Sequence, residues 1–303
     1  MKDQSDQYVL DTSYIERPEG SELADFHTHS TASDGTFTPA ENVALAAKRG
    51  LKAIAVTDHD TVGGVAEALA AGKEQGVEVI AGIEFSCAWE GLDIHIVGLD
   101  LDLGNEELMK QISTCRDARE NRNQMMIDRM ADDGIDISRE QMIAEFGDMK
   151  WTRAHFARHL ISKGVVQSVA EAFDGLLDDN GKYFIPRSSV RPDEMVNLIF
   201  RTGGIPVMAH PFQYRLPDPD LMRLVTLLKE NGLIGIEAFY STHTPEQTAQ
   251  IKEIAAGMEL CISGGSDFHG KNKPLIDLGT GWGDLRVPYE LITIMREKRK
   301  KLK

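Results

Sequence analysis

Cysteine is scarce in this chain: three in 303 residues, Cys87, Cys115 and Cys261, far apart and without paired spacing. That excludes a disulfide framework and a thiolate zinc finger. A reducing cytoplasm is therefore the expected compartment. No apolar run reaches the roughly 18 residues needed for a membrane span. Met1 to Leu10 is polar and has no apolar signal core, so export is not expected either. Basic residues are in deficit, with 33 Lys and Arg against 48 Asp and Glu, a net charge of −15. Long nucleic acid is held by many cationic contacts to phosphate, so wrapping a polyanion is disfavoured. Small anionic substrates stay open, because bound cations reverse the local field. The one basic run, Lys298-Arg299-Lys300-Lys301, reads as a solvated helix end. Internal repeats and low-complexity segments are absent as well.

What is present is a 42% hydrophobic chain, enough for a sizeable core. Residues 1–20 read as an N-terminal arm. Apolar runs then alternate with helical patterns. Strands are expected at Leu23–His29, Leu51–Thr57 and Val77–Ala81, with a hairpin over Cys87–Val97 turning near Glu90-Gly91. Helices are expected at Pro39–Arg49, capped by Thr38, and at Val62–Gln75. From about 104 to 189 the rhythm changes to helices, Asn105–Ala131, Trp151–Ser162 and Val169–Leu177. The alternation returns with a helix from Pro192, strand Ile205–Ala209, helix Asp220–Glu230, strand Ile234–Phe239, helix Pro245–Ala256 and strand Leu260–Ser263. A last helix starts near Pro288. Repeated βα units imply an α/β fold with a parallel sheet, interrupted by a mainly helical insertion.

Six of nine histidines fall at the ends of these strands: His27, His29, His59, His95, His210 and His269. Carboxylates accompany them, namely Asp25, Asp34, Asp58, Asp60, Glu84 and Asp267. In a parallel α/β body the strand ends form one face, where loops vary over a rigid sheet. His27 and His29 are two apart and can share a strand face. Each motif alone is weak. Six together, each after an apolar run, would bury many polar groups unless they bind metal. A polynuclear metal site follows as the expectation.

These motifs, Asp25-x-His27-x-His29-Ser30, Thr57-Asp58-His59-Asp60, Gly82-Ile83-Glu84, His95, Ala209-His210-Pro211 and Ser266-Asp267-x-His269, occur in order. The chain thereby resembles the PHP (polymerase and histidinol phosphatase) superfamily over roughly residues 22 to 285. The resemblance implies a distorted (β/α)7 barrel with metals at the C-terminal strand ends. The barrel would be discontinuous, 21–103 and 190–303, with a helical insertion at 104–189 capping the substrate pocket. It implies that His27, His29, Glu84 and Asp267 hold one metal. Glu84 would bridge to a second, held with His95 and His210, and Asp34, His59 and His269 would hold a third. Asp25, Asp58 and Asp60 would support the catalytic centre by orienting imidazoles or bracing loops. Two to three divalent ions are expected, Mn first, with Zn or Fe as alternatives, since the donors are imidazole and carboxylate without thiolate.

Further segments point to one branch: Asp34-Gly35-Thr36-Phe37-Thr38-Pro39, Thr152-Arg153-x-His155-x-Ala157-Arg158, Tyr183-x-x-Pro186 and Glu237-x-x-Tyr240-Ser241-x-His243-x-x-Glu246-Gln247. They resemble the nucleoside 3′,5′-bisphosphate phosphatase and ribonuclease AM group, with Arg187 a departure after Pro186. The implied reaction is hydrolysis of a phosphate ester of a small nucleotide or short RNA, with a metal-bridging hydroxide as nucleophile. His243, after a strand end, is the candidate general acid or hydrogen-bond donor to phosphate. Arg116, Arg119 and Arg122 recur every third residue and are expected on one side of the long helix. With Arg153, His155 and Arg187 they are candidates for binding substrate phosphate. His155 and His159 are four apart, but Phe156 replaces the catalytic Glu of a zinc-protease helix. Competing readings are a histidinol-phosphate phosphatase, a metal-free structural module, and a nucleic-acid-binding protein.

Overall fold

A computed structural model describes residues 22–147, 151–178, 181–185 and 190–302. The expected arm at 1–20 and Arg187 lie outside these residues. The elements run β1 Leu23–Asp25, α1 Pro39–Lys48, β2 Ala53–Val56, α2 Val65–Gln75, β3 Glu78–Ala81, β4 Ile83–Trp89 and β5 Leu92–Leu99. Four helices follow, α3 Glu106–Asp132, α4 Arg139–Phe146, α5 Arg153–Ser162 and α6 Val169–Gly175. The chain then continues α7 Pro192–Arg201, β6 Ile205–Met208, α8 Asp218–Glu230, β7 Gly235–Tyr240, α9 Pro245–Gly257, β8 Cys261–Gly265, β9 Val287–Pro288 and α10 Glu290–Lys301.

The strands form two mixed sheets, ordered β3-β2-β1-β9 and β4-β5-β6-β7-β8. β1, β2 and β3 are parallel, as are β6, β7 and β8, while the β4–β5 hairpin and β9 run antiparallel to their neighbours. Isolated bridges join the sheets at both edges, Thr28 to Phe268 and His59 to Glu84. Together they give a mixed α/β body of two sheets whose ladders break at the loops carrying the histidine motifs. A Cβ built at Gly265 would lie 2.3 Å from His27 Cβ, so only glycine lets β8 come this close to the first motif.

Local sequence explains the elements. Thr38 caps α1 in a full capping box with Glu41, and Pro39 occupies its first turn. Glu90 and Gly91 both take positive φ, 49° and 86°, the two-residue turn a twisted hairpin prefers. Asn105 caps α3 through Leu108 N–H. The core has several apolar clusters. The first half of α3 (Leu108, Ile112, Cys115) packs with Ile83, Phe85 and Leu224. Its second half (Met126, Ile127, Met130) packs with Trp151, Phe156 and Leu160 of the insertion. One helix thus links two of the apolar clusters. Three elements differ most from expectation, one of them α4, which the sequence reading did not contain. β1 ends at Asp25 rather than His29, because Phe26 and His29 donate backbone N–H groups to Gly264 and Phe268, leaving the β1–β2 ladder. The short β9, absent from the sequence reading, precedes the last helix. No helix among the described residues is long and apolar enough to cross a membrane.

Candidate active site

Glu84 is the hub of the site. Its Oε1 lies 2.8 Å from His95 Nδ1, 3.0 Å from His210 Nε2 and 3.3 Å from His27 Nε2. Its Oε2 lies 2.9 Å from His59 Nδ1 and 3.3 Å from His29 Nε2. Asp267 Oδ1 approaches His29 Nε2 at 3.2 Å and His269 Nδ1 at 3.3 Å. Asp34 Oδ1 approaches His269 Nε2 at 3.2 Å, and Asp34 Oδ2 approaches His59 Nε2 at 3.8 Å. All nine residues expected to hold metal therefore converge. They fall into overlapping donor groups: His29, Asp34, His59 and His269; His27, Glu84 and His210; His27, His29 and Asp267; His59, Glu84 and His95.

Ring packing alone does not explain this cluster. Nε2 of His27, both ring nitrogens of His29, Nδ1 of His59 and Nδ1 of His210 are buried with no hydrogen-bonding partner. Orphaned nitrogens in a dry site are costly, and lone pairs facing shared carboxylates suit divalent cations. Burial would raise Glu84, but the charges of His95, His59 and His27 hold its carboxyl well below the usual range. Burial would likewise lower His29 and His95, yet the flanking carboxylates lift both to about 9. For His59 burial wins and takes it to about 3. Strain is concentrated here too. His210, Asp267 and Asp60 take positive φ of 25°, 56° and 51°, conformations that cost about 1–3 kcal/mol each for non-glycine residues.

The expected supporting carboxylates brace loops rather than imidazole rings. Asp58 accepts from Ser30 N–H and Oγ and from Ser33 Oγ, at 2.8, 2.7 and 2.6 Å. Asp25 accepts from Ser266 N–H and Oγ and from Gly279 N–H, at 2.8, 2.5 and 2.7 Å. Burial raises Asp25 to about 6. Asp60 accepts from Ser86 N–H at 2.9 Å and is gripped by the Arg119 guanidinium. Of the two supporting roles expected for these three carboxylates, their contacts fit loop bracing.

The arginine trio does not share one environment. Arg116 is exposed and pairs with Asp117 and Ser113 on its own helix. Arg119 is buried on Asp60, and Arg122 is buried against Asn123 Oδ1 at 2.7 Å. At 100° per residue, spacing three spreads them over about 120° of helix surface, one side of α3 but three different surroundings. Arg153 stands elsewhere, donating to Asp93 Oδ2 at 3.2 Å and Leu177 O at 3.1 Å. It lines a cleft of about 680 Å³ together with Asp93, His95, His210, Tyr214 and Arg215. His155 Nδ1 accepts from Thr152 N–H at 3.0 Å, so its proton sits on Nε2. Burial lowers it to about 4, and it lies near enough to Asp34 and His269 to feel their charges.

His243 is placed differently from expectation. Its Nδ1–H donates to Ala238 O at 3.1 Å, and Nε2 is buried without a partner. The ring packs behind Tyr240 and Phe212, and burial lowers its pKa. A neutral ring whose proton is already given to a carbonyl is a poor general acid. His159 serves the insertion, bonding Glu145 Oε2 at 2.7 Å and Asp136 O at 3.0 Å.

Sequence reasoning did not assign Glu237, Asp93 or Lys273 to the site. Glu237 touches His27 and His210. Asp93 lies 3.6 Å from His95 Nε2. Lys273 Nζ lies 2.5 Å from Asp267 Oδ2, an oxygen that also accepts from Tyr240 at 2.6 Å. The available signals were that Asp93 sits two residues before a ligand and Glu237 lies inside an apolar strand.

Comparison with known proteins agrees with this geometry. A family model described as PHP domain matches residues 25–189. A 5′-3′ exoribonuclease of Haemophilus influenzae is 34% identical over 261 residues, covering 84% of this chain and 95% of that protein. A 3′,5′-nucleoside bisphosphate phosphatase of Chromobacterium violaceum is 32% identical over 263 residues, covering 84% and 90%. A crystal structure from Bifidobacterium adolescentis, described as a metal-dependent phosphoesterase, superposes with TM-score 0.79 at 30% identity over 92% of this chain and 96% of that one. With nine converging candidate metal-binding residues and relatives of this kind, the chain belongs to the PHP domain family and is a metal-dependent phosphoric ester hydrolase.

Proposed function

We propose that the enzyme removes the 3′-phosphate from nucleoside 3′,5′-bisphosphates such as pAp, and that the same site trims short 5′-phosphorylated RNA. The observation that carries this reading is the cleft beside His95 and His210, where Arg153 and Arg215 stand among Asp93, Asp174 and Asp178 next to the candidate metal cluster. A substrate with two phosphates needs one cationic pocket beyond the reacting centre, and arginine binds phosphate through two parallel hydrogen bonds. The names of the relatives from H. influenzae and C. violaceum support the substrate class.

In this reading His27, His29, Glu84 and Asp267 hold one divalent cation. Glu84, His95 and His210 hold a second, and Asp34, His59 and His269 a third. Two to three ions are needed, Mn favoured over Zn or Fe for an imidazole–carboxylate set. When bound, such ions lower the pKa of water and neutralise phosphoryl charge. The protein's own groups position the substrate. Arg153 and Arg215 take the phosphate that is not cleaved. His155 offers Nε2–H as a neutral donor. Lys273, part-exposed at the edge of the cluster, supplies a cation toward the leaving oxygen. Arg116 and Arg122 have no part in this arrangement, and Arg119 acts through Asp60. A cytoplasmic enzyme, acting without long nucleic acid or membrane, completes the reading.

The test is Arg153→Ala, assayed on pAp and on an aryl phosphate. The loss is expected to fall on pAp by at least about tenfold more, the scale of a charge-assisted hydrogen bond. Equal losses on both substrates would assign Arg153 to the fold or to the reacting phosphate.

A further inference from the structure

Glu237 is a buried carboxylate on β7 that none of the nine ligand positions includes. Its two oxygens go to two different ligands. Oε1 lies 3.2 Å from His27 Nδ1, and Oε2 accepts from the backbone N–H of His210 at 2.7 Å. The second bond falls on a residue with φ of 25°, a conformation its own chain does not favour. His210 Nε2 then reaches Glu84 Oε1 at 3.0 Å, and His27 Nε2 reaches the same oxygen at 3.3 Å.

We infer that Glu237 is a positioning residue that presents His27 and His210 together to the cations around Glu84. The physical reason is the tautomer. A carboxylate can only accept, so a neutral His27 must place its proton on Nδ1 and leave the Nε2 lone pair for a cation. That Nε2 is the buried atom without a hydrogen-bonding partner. On the other side, the bond to His210 N–H holds a strained backbone in the one turn that aims its ring at Glu84. One side chain thus couples two ligands that lie 183 residues apart in sequence, 27 to 210. Partners of this kind orient the ring and raise its basicity, and their loss costs about 10–100-fold in metal affinity. The inference is independent of which phosphate ester is the substrate.

Glu237→Gln is the sharp variant, because it keeps shape but turns one acceptor into a donor. If the amide oxygen serves His27, the amide N–H₂ faces His210 N–H. If it is reversed, the amide donates to His27 Nδ1 and moves that ring's proton to Nε2. Both arrangements spoil one ligand. Mn²⁺ binding by calorimetry to metal-stripped protein is expected to weaken by about 10–100-fold for at least one equivalent. Thermal unfolding of the stripped variant separates this from a fold defect: unchanged Mn²⁺ affinity with a lowered melting temperature would make Glu237 structural and overturn the inference. A second measurement uses the unaltered protein. Long-range ¹H–¹⁵N spectra of the Zn²⁺-loaded enzyme are expected to place the His27 proton on Nδ1. A proton on Nε2 would overturn the inference whether or not the variant folds.

Discussion

Glu84 and His59 meet twice. Their backbones form an isolated parallel bridge between the two sheets, and their side chains meet again where His59 Nδ1 lies 2.9 Å from Glu84 Oε2. Backbone bonds from Glu84 N–H to Asp58 O and from Asp60 N–H to Glu84 O hold the pairing. The carboxylate that contacts five imidazoles is therefore fixed by the seam of the fold itself. Glu84→Gln should preserve the seam and the fold but weaken more than one cation. Turnover is expected to fall by at least about a hundredfold, the upper range found for mere supporting partners, with metal content by elemental analysis reduced by more than one equivalent. Near-normal turnover in metal-replete Glu84→Gln would remove its bridging role.

Arg119 and Asp60 form a buried ion pair, so Arg119→Ala leaves a carboxylate without its charge partner. Such losses cost about 3–5 kcal/mol. Denaturant unfolding should register that loss, and Arg119→Lys should recover part of it, because lysine restores charge without the planar fork. A substrate role would instead raise KM with stability unchanged.

Protonation opposes cation loading. In the metal-free protein His29 and His95 are lifted to about 9, above the ordinary imidazole value of roughly 6.5. The folded state then binds more protons than the unfolded state between those values. Stability of the stripped protein should fall as pH rises from about 6.5 to 9. Cation affinity should rise over the same window, since binding releases protons. Calorimetry in buffers of differing ionisation enthalpy measures that release, and a binding heat independent of buffer at pH 7.5 would contradict it.

His243 and Lys273 divide the question of the leaving-group proton. His243→Gln is expected to stay within about threefold of the parent kcat, whereas loss of a positioned acid typically costs at least about a hundredfold. Lys273→Ala should lower kcat by more than His243→Gln does, measured by steady-state kinetics on pAp. The reverse ranking would return the role to His243.

The clustering of histidine was legible because its motifs lie in or just after apolar runs, where an imidazole has few other uses. Helices α1 and α3 were legible through Thr38, Pro39 and Asn105, whose capping chemistry is local. Other features depend on partners far away in sequence. Arg119 looks like a surface residue until Asp60, 59 positions earlier, comes to meet it. Glu237 reads as one polar residue in a strand until β7 lies beside His27. α4 buries little beyond Met142, and β9 is two residues ending in proline, so neither carries a periodic signal. The loop-bracing work of Asp25 and Asp58 rests on Ser266, Gly279, Ser30 and Ser33, contacts that spacing alone does not reveal.

The most direct measurement offers Mn²⁺-loaded enzyme pAp, a short 5′-phosphorylated RNA and histidinol phosphate in parallel, with products identified by mass. The account predicts conversion of pAp to AMP, abolished by chelator and restored by Mn²⁺, with RNA trimming from the 5′ end by the same preparation. Selective release of phosphate from histidinol phosphate, with pAp untouched, would contradict the assignment of the Arg153 cleft to a second nucleotide phosphate.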